Sequence, residues 1–146
     1  MDKAGKSNTT MTFEQHSEPP EVALVTACVT DYFEGMYYRD LAKLKRAFHE
    51  SARLYGYRDG SFTMLPLVDW LSRVSSRAIP AESGELFEMS IESIDLTGDA
   101  GIVKVRDLYM GLRFTDYLSI IKFDNHWKIV SKVFYHEPLI QPNRCE

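Results

Sequence analysis

The sequence predicts an α+β fold in which helices cover one face of a strongly curved antiparallel sheet. Three observations carry that expectation. Apolar residues at helical spacing are confined to the first half of the chain, ending near Ala78. Four long alternating stretches follow, with no further helical pattern among them. Turn signals separate these stretches at Thr97-Gly98-Asp99, near Gly111 and at Asp124-Asn125.

Each element follows from local chemistry. Residues 1–18 are polar and poor in branched apolar side chains, which predicts a disordered or loosely attached tail. The domain is expected over residues 19–138, with 139–146 as a C-terminal tail. Pro19-Pro20 open the first helix, where a missing N–H has no partner to lose. Val22, Val25, Val29, Tyr32, Phe33 and Met36 form its apolar face, and Gly35 weakens its end. Asp40 can cap a second helix with Leu41, Leu44, Ala47 and Phe48 on one side. A short strand from Ala52 to Tyr57 turns at Arg58-Asp59-Gly60 and returns through Ser61 to Leu65. Pro66 opens a third helix with Leu67, Trp70, Leu71 and Val74 inward, and Ile79 to Glu85 is a loop. The long strands run Glu85–Leu96, Gly101–Met110, Leu112–Phe123 and Trp127–Pro138.

A chain of 146 residues suits one domain, and 45% hydrophobic residues allow a real core. A net charge of −4 argues against a nucleic-acid surface, which needs clustered positive charge. Lys43, Lys45 and Arg46 read as the solvated face of a helix. Cys28 and Cys145 make neither a disulfide framework nor a metal spacing. The N-terminus lacks the apolar run of a signal peptide, and no stretch approaches a membrane span. A soluble cytoplasmic protein is expected, with no cofactor, nucleic-acid partner or membrane partner. Among the histidines, His49 is expected on a helix surface and His126 in a turn; with His16 and His136 they show no metal spacing.

The most specific stretch is Phe114 to Pro138, "FTDYLSIIKFDNHWKIVSKVFYHEP". Phe114-Thr115-Asp116-Tyr117-Leu118, Lys122, Trp127-Lys128-Ile129 and Lys132 resemble the signature of the family named putative lumazine-binding, in the nuclear transport factor 2-like superfamily. Asn125 stands where that family has a turn glycine, and asparagine tolerates the same left-handed conformation. The resemblance implies a cone-shaped fold, with three helices roofing a pocket and a homodimer built on the sheet's outer face. Ketosteroid isomerases share the fold and use a strand aspartate as base, with a helix tyrosine and a protonated aspartate as oxyanion donors. By element order Tyr32 falls at the tyrosine, Gly56 at the base and Ser119 at the acidic donor. Gly56 cannot take a proton, so isomerisation by that route is not expected.

A two-residue turn at Asp124-Asn125 or Asn125-His126 sets the faces of the last hairpin. Thr115, Tyr117, Ser119, Ile121 and Phe123 then share a side with Val130, Lys132, Phe134 and His136. Asp116, Leu118, Ile120, Ile129, Ser131, Val133 and Tyr135 share the other. The first side mixes apolar walls with ammonium, imidazole and hydroxyl groups, as a ligand pocket does. The second is mostly apolar, as a subunit interface would be. A one-residue shift would exchange the faces of one strand.

The expected pocket residues are Tyr32, Leu54, Gly56, Trp70, Tyr117, Ser119, Lys132, Phe134 and His136. Lys132 either anchors a ligand carbonyl or carboxylate, or forms a structural ion pair with Asp107 or Asp116. Asp116 is expected to face outward, as a buried edge carboxylate capping loop amides. The first function expected is binding of a small aromatic or anionic molecule. The alternative is an enzyme of isomerase, dehydratase or cyclase type, with Lys132, His136 and Asp107 working on a small carbonyl compound.

Overall fold

A computed structural model describes residues 20–138. The expectations for residues 1–18 and 139–146, and for Pro19, His16 and Cys145, lie outside them. The described residues run α1 (Pro20–Tyr38), α2 (Leu41–Ala47), β1 (Phe48–Arg58), β2 (Ser61–Pro66) and α3 (Leu67–Ser75). A 3-10 turn, Pro80–Glu82, leads to β3 (Met89–Thr97), β4 (Ala100–Tyr109), β5 (Leu112–Phe123) and β6 (His126–Pro138). The six strands form one curved sheet in the order β2-β1-β6-β5-β4-β3. Every neighbouring pair is antiparallel except β1 and β6, which run parallel. Between β1 and β6 the chain runs through β2, α3 and β3 to β5, which supplies the long connection that a parallel pair needs. No described helix is long and apolar enough to cross a membrane.

The helices form where their signals lie. Asp40 caps α2, its Oδ1 accepting from the Lys43 amide at 3.2 Å. Pro66 precedes α3, whose Leu67, Trp70, Leu71 and Val74 are all buried. Lys43 pairs with Glu34 and Arg46 with Asp31 on the solvent side, so the basic run is a solvated face. The core lies between helices and sheet, with Val25, Val29 and Leu44 against Val103, Val105 and Leu118. Gly35 does more than weaken a helix end. It is buried, and a Cβ there would meet Leu44 Cδ2 at 2.6 Å, so its bareness lets α2 close on α1.

Two local expectations need correction. The first strand begins at Phe48 and not at Ala52, so Phe48 and His49 leave the helix. His49 stacks on Phe123 with ring centroids 4.6 Å apart. The second correction concerns the last hairpin. Its turn is the two-residue Asp124-Asn125, both residues at positive φ, as a tight hairpin requires. Phe123 pairs with His126 and Ile120 with Ile129, as that turn demands. Ser119, however, pairs with Ser131, because Val130 is an extra residue in β6. This bulge shifts the register by one and switches the inward parity of β6. Trp127 and Ile129 point inward before it, Lys132 after it.

The consequence is an exchange of faces on β5. Leu118 lies opposite Lys132, Asp116 opposite Phe134 and Phe114 opposite His136. Asp116, Leu118 and Ile120 therefore join the inner side and are buried, as is Ile129 of β6. Tyr117, 41% exposed, takes the outer side with Ser119. Val133 and Tyr135 stay on the outer side.

Candidate functional site

Three ionisable side chains and one phenol are buried together under the helices. Lys132 is 4% exposed, Asp107 1% and Asp116 0%, and Tyr32 is fully buried. Tyr32 comes from the apolar face of α1, Asp107 from β4, Asp116 from β5 and Lys132 from β6. The Tyr32 hydroxyl donates to Asp116 Oδ2 at 2.7 Å. Lys132 Nζ lies 3.9 Å from the same oxygen, an ion pair beyond hydrogen-bonding distance. Four rings surround that ammonium: Trp70 at 5.0 Å, Tyr32 at 5.1 Å, Phe114 at 5.7 Å and Phe134 at 5.8 Å from their centroids. Ring faces attract a cation, so this box partly replaces the water that burial removes.

The two carboxyls interact. Burial is the main cause holding Asp107 well above the usual carboxylate range, and Asp116 adds to it through charge and a shared hydrogen bond. Lys132 opposes the shift. Two like charges in a dry site cannot both form cheaply, so Asp107 holds a proton more tightly than an ordinary carboxyl. Burial also raises Tyr32 well above the ordinary phenol value, with Asp107 and Asp116 adding to it, so Tyr32 stays a neutral donor. Asp107 Oδ1 and Asp116 Oδ1 are both buried without a hydrogen-bond partner. Unsatisfied buried oxygens of this kind are costly and call for a reason.

A cleft reaches this group from outside. Its walls include Leu54, Trp70, Phe114 and Phe134, with Asp107 and Lys132 among them. Its cavity is small, about 30 Å³. The closed end is therefore narrow. Gly56 belongs to the same wall in a negative sense: the Phe134 ring occupies the place of its missing side chain, 2.5 Å from where a Cβ would stand. Arg58, Arg73 and Arg77 line the cleft as well.

The structure thus brings together Tyr32, Leu54, Gly56, Trp70, Asp107, Lys132 and Phe134. It does not bring in Tyr117 and Ser119, which the bulge at Val130 places on the opposite face of the sheet. His136 is on the inner side next to Phe114 and Phe134, yet it lines a neighbouring shallow depression with Tyr57 and Asp59. Its Nε2 lies 3.2 Å from the Tyr57 carbonyl, which can only accept, so Nε2 donates there. Asp116 is the main residue placed wrongly from sequence: it faces inward and accepts from Tyr32, and it caps no loop amide. The three arginines were not foreseen. Arg73 and Arg77, four residues apart around the end of a helix with an inward Trp70, were the available signal.

Comparisons with known proteins agree with this architecture. Residues 20–135 match the model of the family described as putative lumazine-binding. The chain is 29% identical over 130 residues to the Cladobotryum sp. protein named aldolase FrzH, covering 85% of this chain and 98% of that protein. A nuclear transport factor 2-like protein of unknown function from Shewanella baltica OS155 matches with a TM-score of 0.73 and 25% identity, covering 90% of this chain and 99% of that one. A second such protein, from Silicibacter pomeroyi DSS-3, gives 0.68 and 26%, with coverage of 80% and 96%.

Proposed function

This chain belongs to the putative lumazine-binding family, and from that premise we propose that its pocket binds a small carbonyl compound and moves a proton at the carbon next to the carbonyl. One observation carries the reading: a buried lysine and a buried aspartic acid of raised proton affinity line the closed end of one cleft. Burying such groups costs several kcal/mol per ion in real proteins, roughly, and buys little stability in return. Their chemistry, by contrast, suits enolisation. Lys132 donates a hydrogen bond to the carbonyl oxygen and stabilises the negative charge that develops there. Asp107 works from its ionised form, its resting proton first passing to solvent. Its raised proton affinity makes that carboxylate a stronger base than an ordinary one, matched to take the proton from carbon and return it. The C–H bond breaks, its electron pair becomes the enolate C=C, and the carbonyl oxygen becomes the oxyanion beside Lys132. Tyr32 and Asp116 position the pair without facing the cleft themselves.

Enolisation is the shared first step of aldol-type, isomerising and dehydrating reactions. The relative named as an aldolase supports the first of these, in which the enolate carbon then attacks a second carbonyl. The test is exchange of carbon-bound hydrogen in heavy water, followed by NMR on a panel of small ketones, aldehydes and 2-oxo acids. Exchange above the buffer rate is expected, and Lys132→Met and Asp107→Asn should each return it to background. Buffer-rate exchange across the whole panel would remove the proposal.

A second reading, binding without turnover, draws on the family description and on the aromatic walls Trp70, Phe114 and Phe134. The narrow closed end weighs against it for a bicyclic ligand such as lumazine, which would need Phe134 or Trp70 to move. Homodimerisation belongs to the same proposal. The outer sheet face carries Tyr117, Val133 and Tyr135 as cross-strand neighbours, with Val133 47% and Tyr135 62% exposed. A contiguous apolar face of this kind marks a protein contact, and a second copy of the chain offers the complementary surface.

A further inference from the structure

We propose that the substrate carries an anionic group, a carboxylate or a phosphate, which Arg58, Arg73 and Arg77 hold at the mouth of the cleft while its carbonyl reaches Lys132. This rests on the acid–base reading above and adds the substrate class. The three guanidiniums come from separate places: the last residue of β1, the last turn of α3 and the segment just beyond it. All three line the one cleft, where, among the described residues, the only carboxyl is Asp107 at the closed end. Among the described residues none of them has an acidic partner. Among the described residues, the arginines in ion pairs are Arg46 with Asp31 and Arg113 with Glu88.

Arg77 shows signs of being set in place. Its guanidinium lies over the Tyr109 ring, 5.8 Å from the centroid, and its carbonyl accepts from Arg39 Nη1 at 2.8 Å. The cation–π contact holds the guanidinium over the ring without using its N–H groups as hydrogen-bond donors to an acid. A guanidinium fork matches the two oxygens of a carboxylate or phosphate. Three unpaired cations repel one another, and in a chain of net charge −4 they are a local exception. An anion bound between them removes that repulsion. It also leaves the deeper, narrower space to the carbonyl end of the molecule.

The test compares matched pairs on the full chain by calorimetric titration: pyruvate with methyl pyruvate, and hydroxyacetone phosphate with hydroxyacetone. The anionic member should bind at least about tenfold more tightly, the scale of one charge-assisted hydrogen bond. Added salt should narrow the gap, and Arg58→Gln, Arg73→Gln and Arg77→Gln together should close it. Whichever pair shows the larger gap separates carboxylate from phosphate. Equal binding of the neutral members, no binding of either anion at millimolar concentration, or an unchanged gap in the triple variant would overturn the proposal. Hydrogen exchange in the same samples keeps the two claims apart. Anion preference without exchange leaves the arginine site standing and removes the acid–base reading; exchange without anion preference does the reverse.

Discussion

The Tyr32 hydroxyl donates to Asp116 Oδ2 at 2.7 Å, joining α1 to the inner side of β5 across 84 residues of sequence. This bond fixes the carboxylate that both faces Lys132 and raises the proton affinity of Asp107. Removing the donor while leaving the acceptor buried is expensive. Tyr32→Phe should therefore cost about 2 kcal/mol in urea denaturation, the loss of a hydrogen bond to a charged group. A cost indistinguishable from zero would mean that Asp116 finds another donor.

The pH dependence of stability follows from Asp107. Its folded pKa lies well above the ordinary 3.8, so between 3.8 and that raised value the folded state holds a proton that the unfolded state has lost. The contribution of Asp107 to stability is complete below 3.8 and falls as pH rises through that window. Asp107→Asn keeps a neutral polar side chain of the same shape. It should lose this component, and its advantage over the wild-type chain should grow on going from acid to neutral pH. Thermal denaturation across that range checks it; parallel curves for the two proteins would contradict it.

Gly56→Ala tests the wall of the cleft. An added Cβ would stand 2.5 Å from Phe134 Cε1, so the ring must swing or the strands must part. Overpacking of this kind should cost roughly 1–3 kcal/mol. A displaced Phe134 would also reshape the closed end, so ligand binding should fall even where the fold survives. Unchanged stability and binding would show that the ring has room to move.

The outer face is tested through Val133, which lies between Tyr55 of β1 and Tyr117 of β5. Val133→Glu should convert a dimer to a monomer in analytical ultracentrifugation while the helical and strand content is retained. A wild-type chain that sediments as a monomer would remove the dimer from the account.

Much of the fold was legible because local signals were strong. The bounds of β5 are Leu112–Phe123, as the alternation and its flanking turns indicated, and α3 presents the four residues that its spacing selected. The faces of the last hairpin were only half legible. The Asp124-Asn125 turn correctly sets the pairing near the tip. One unpaired residue, Val130, then undoes the inference for everything beyond it on β5. No residue type announces a bulge of this sort: Val130 is an ordinary strand residue, and its extra place shows only in the pairing of β5 with β6. Lys132 and Phe134 kept their expected side, whereas Tyr117, Ser119 and Asp116 exchanged theirs. The arginine mouth was hidden for a related reason: Arg58 and Arg77 are far apart in sequence, and only the closure of α3 over β1 brings them to one opening.

The most direct measurement is a carbon-13 NMR titration of the aspartate carboxyls in the wild-type chain and two variants. Asp107 should titrate well above 3.8. Asp116→Asn should move its midpoint down, since Asp116 is one source of the shift, and Lys132→Met should move it further up, since Lys132 opposes it. An Asp107 that titrates in the ordinary carboxylate range and ignores both substitutions would contradict the proposed acid–base pair.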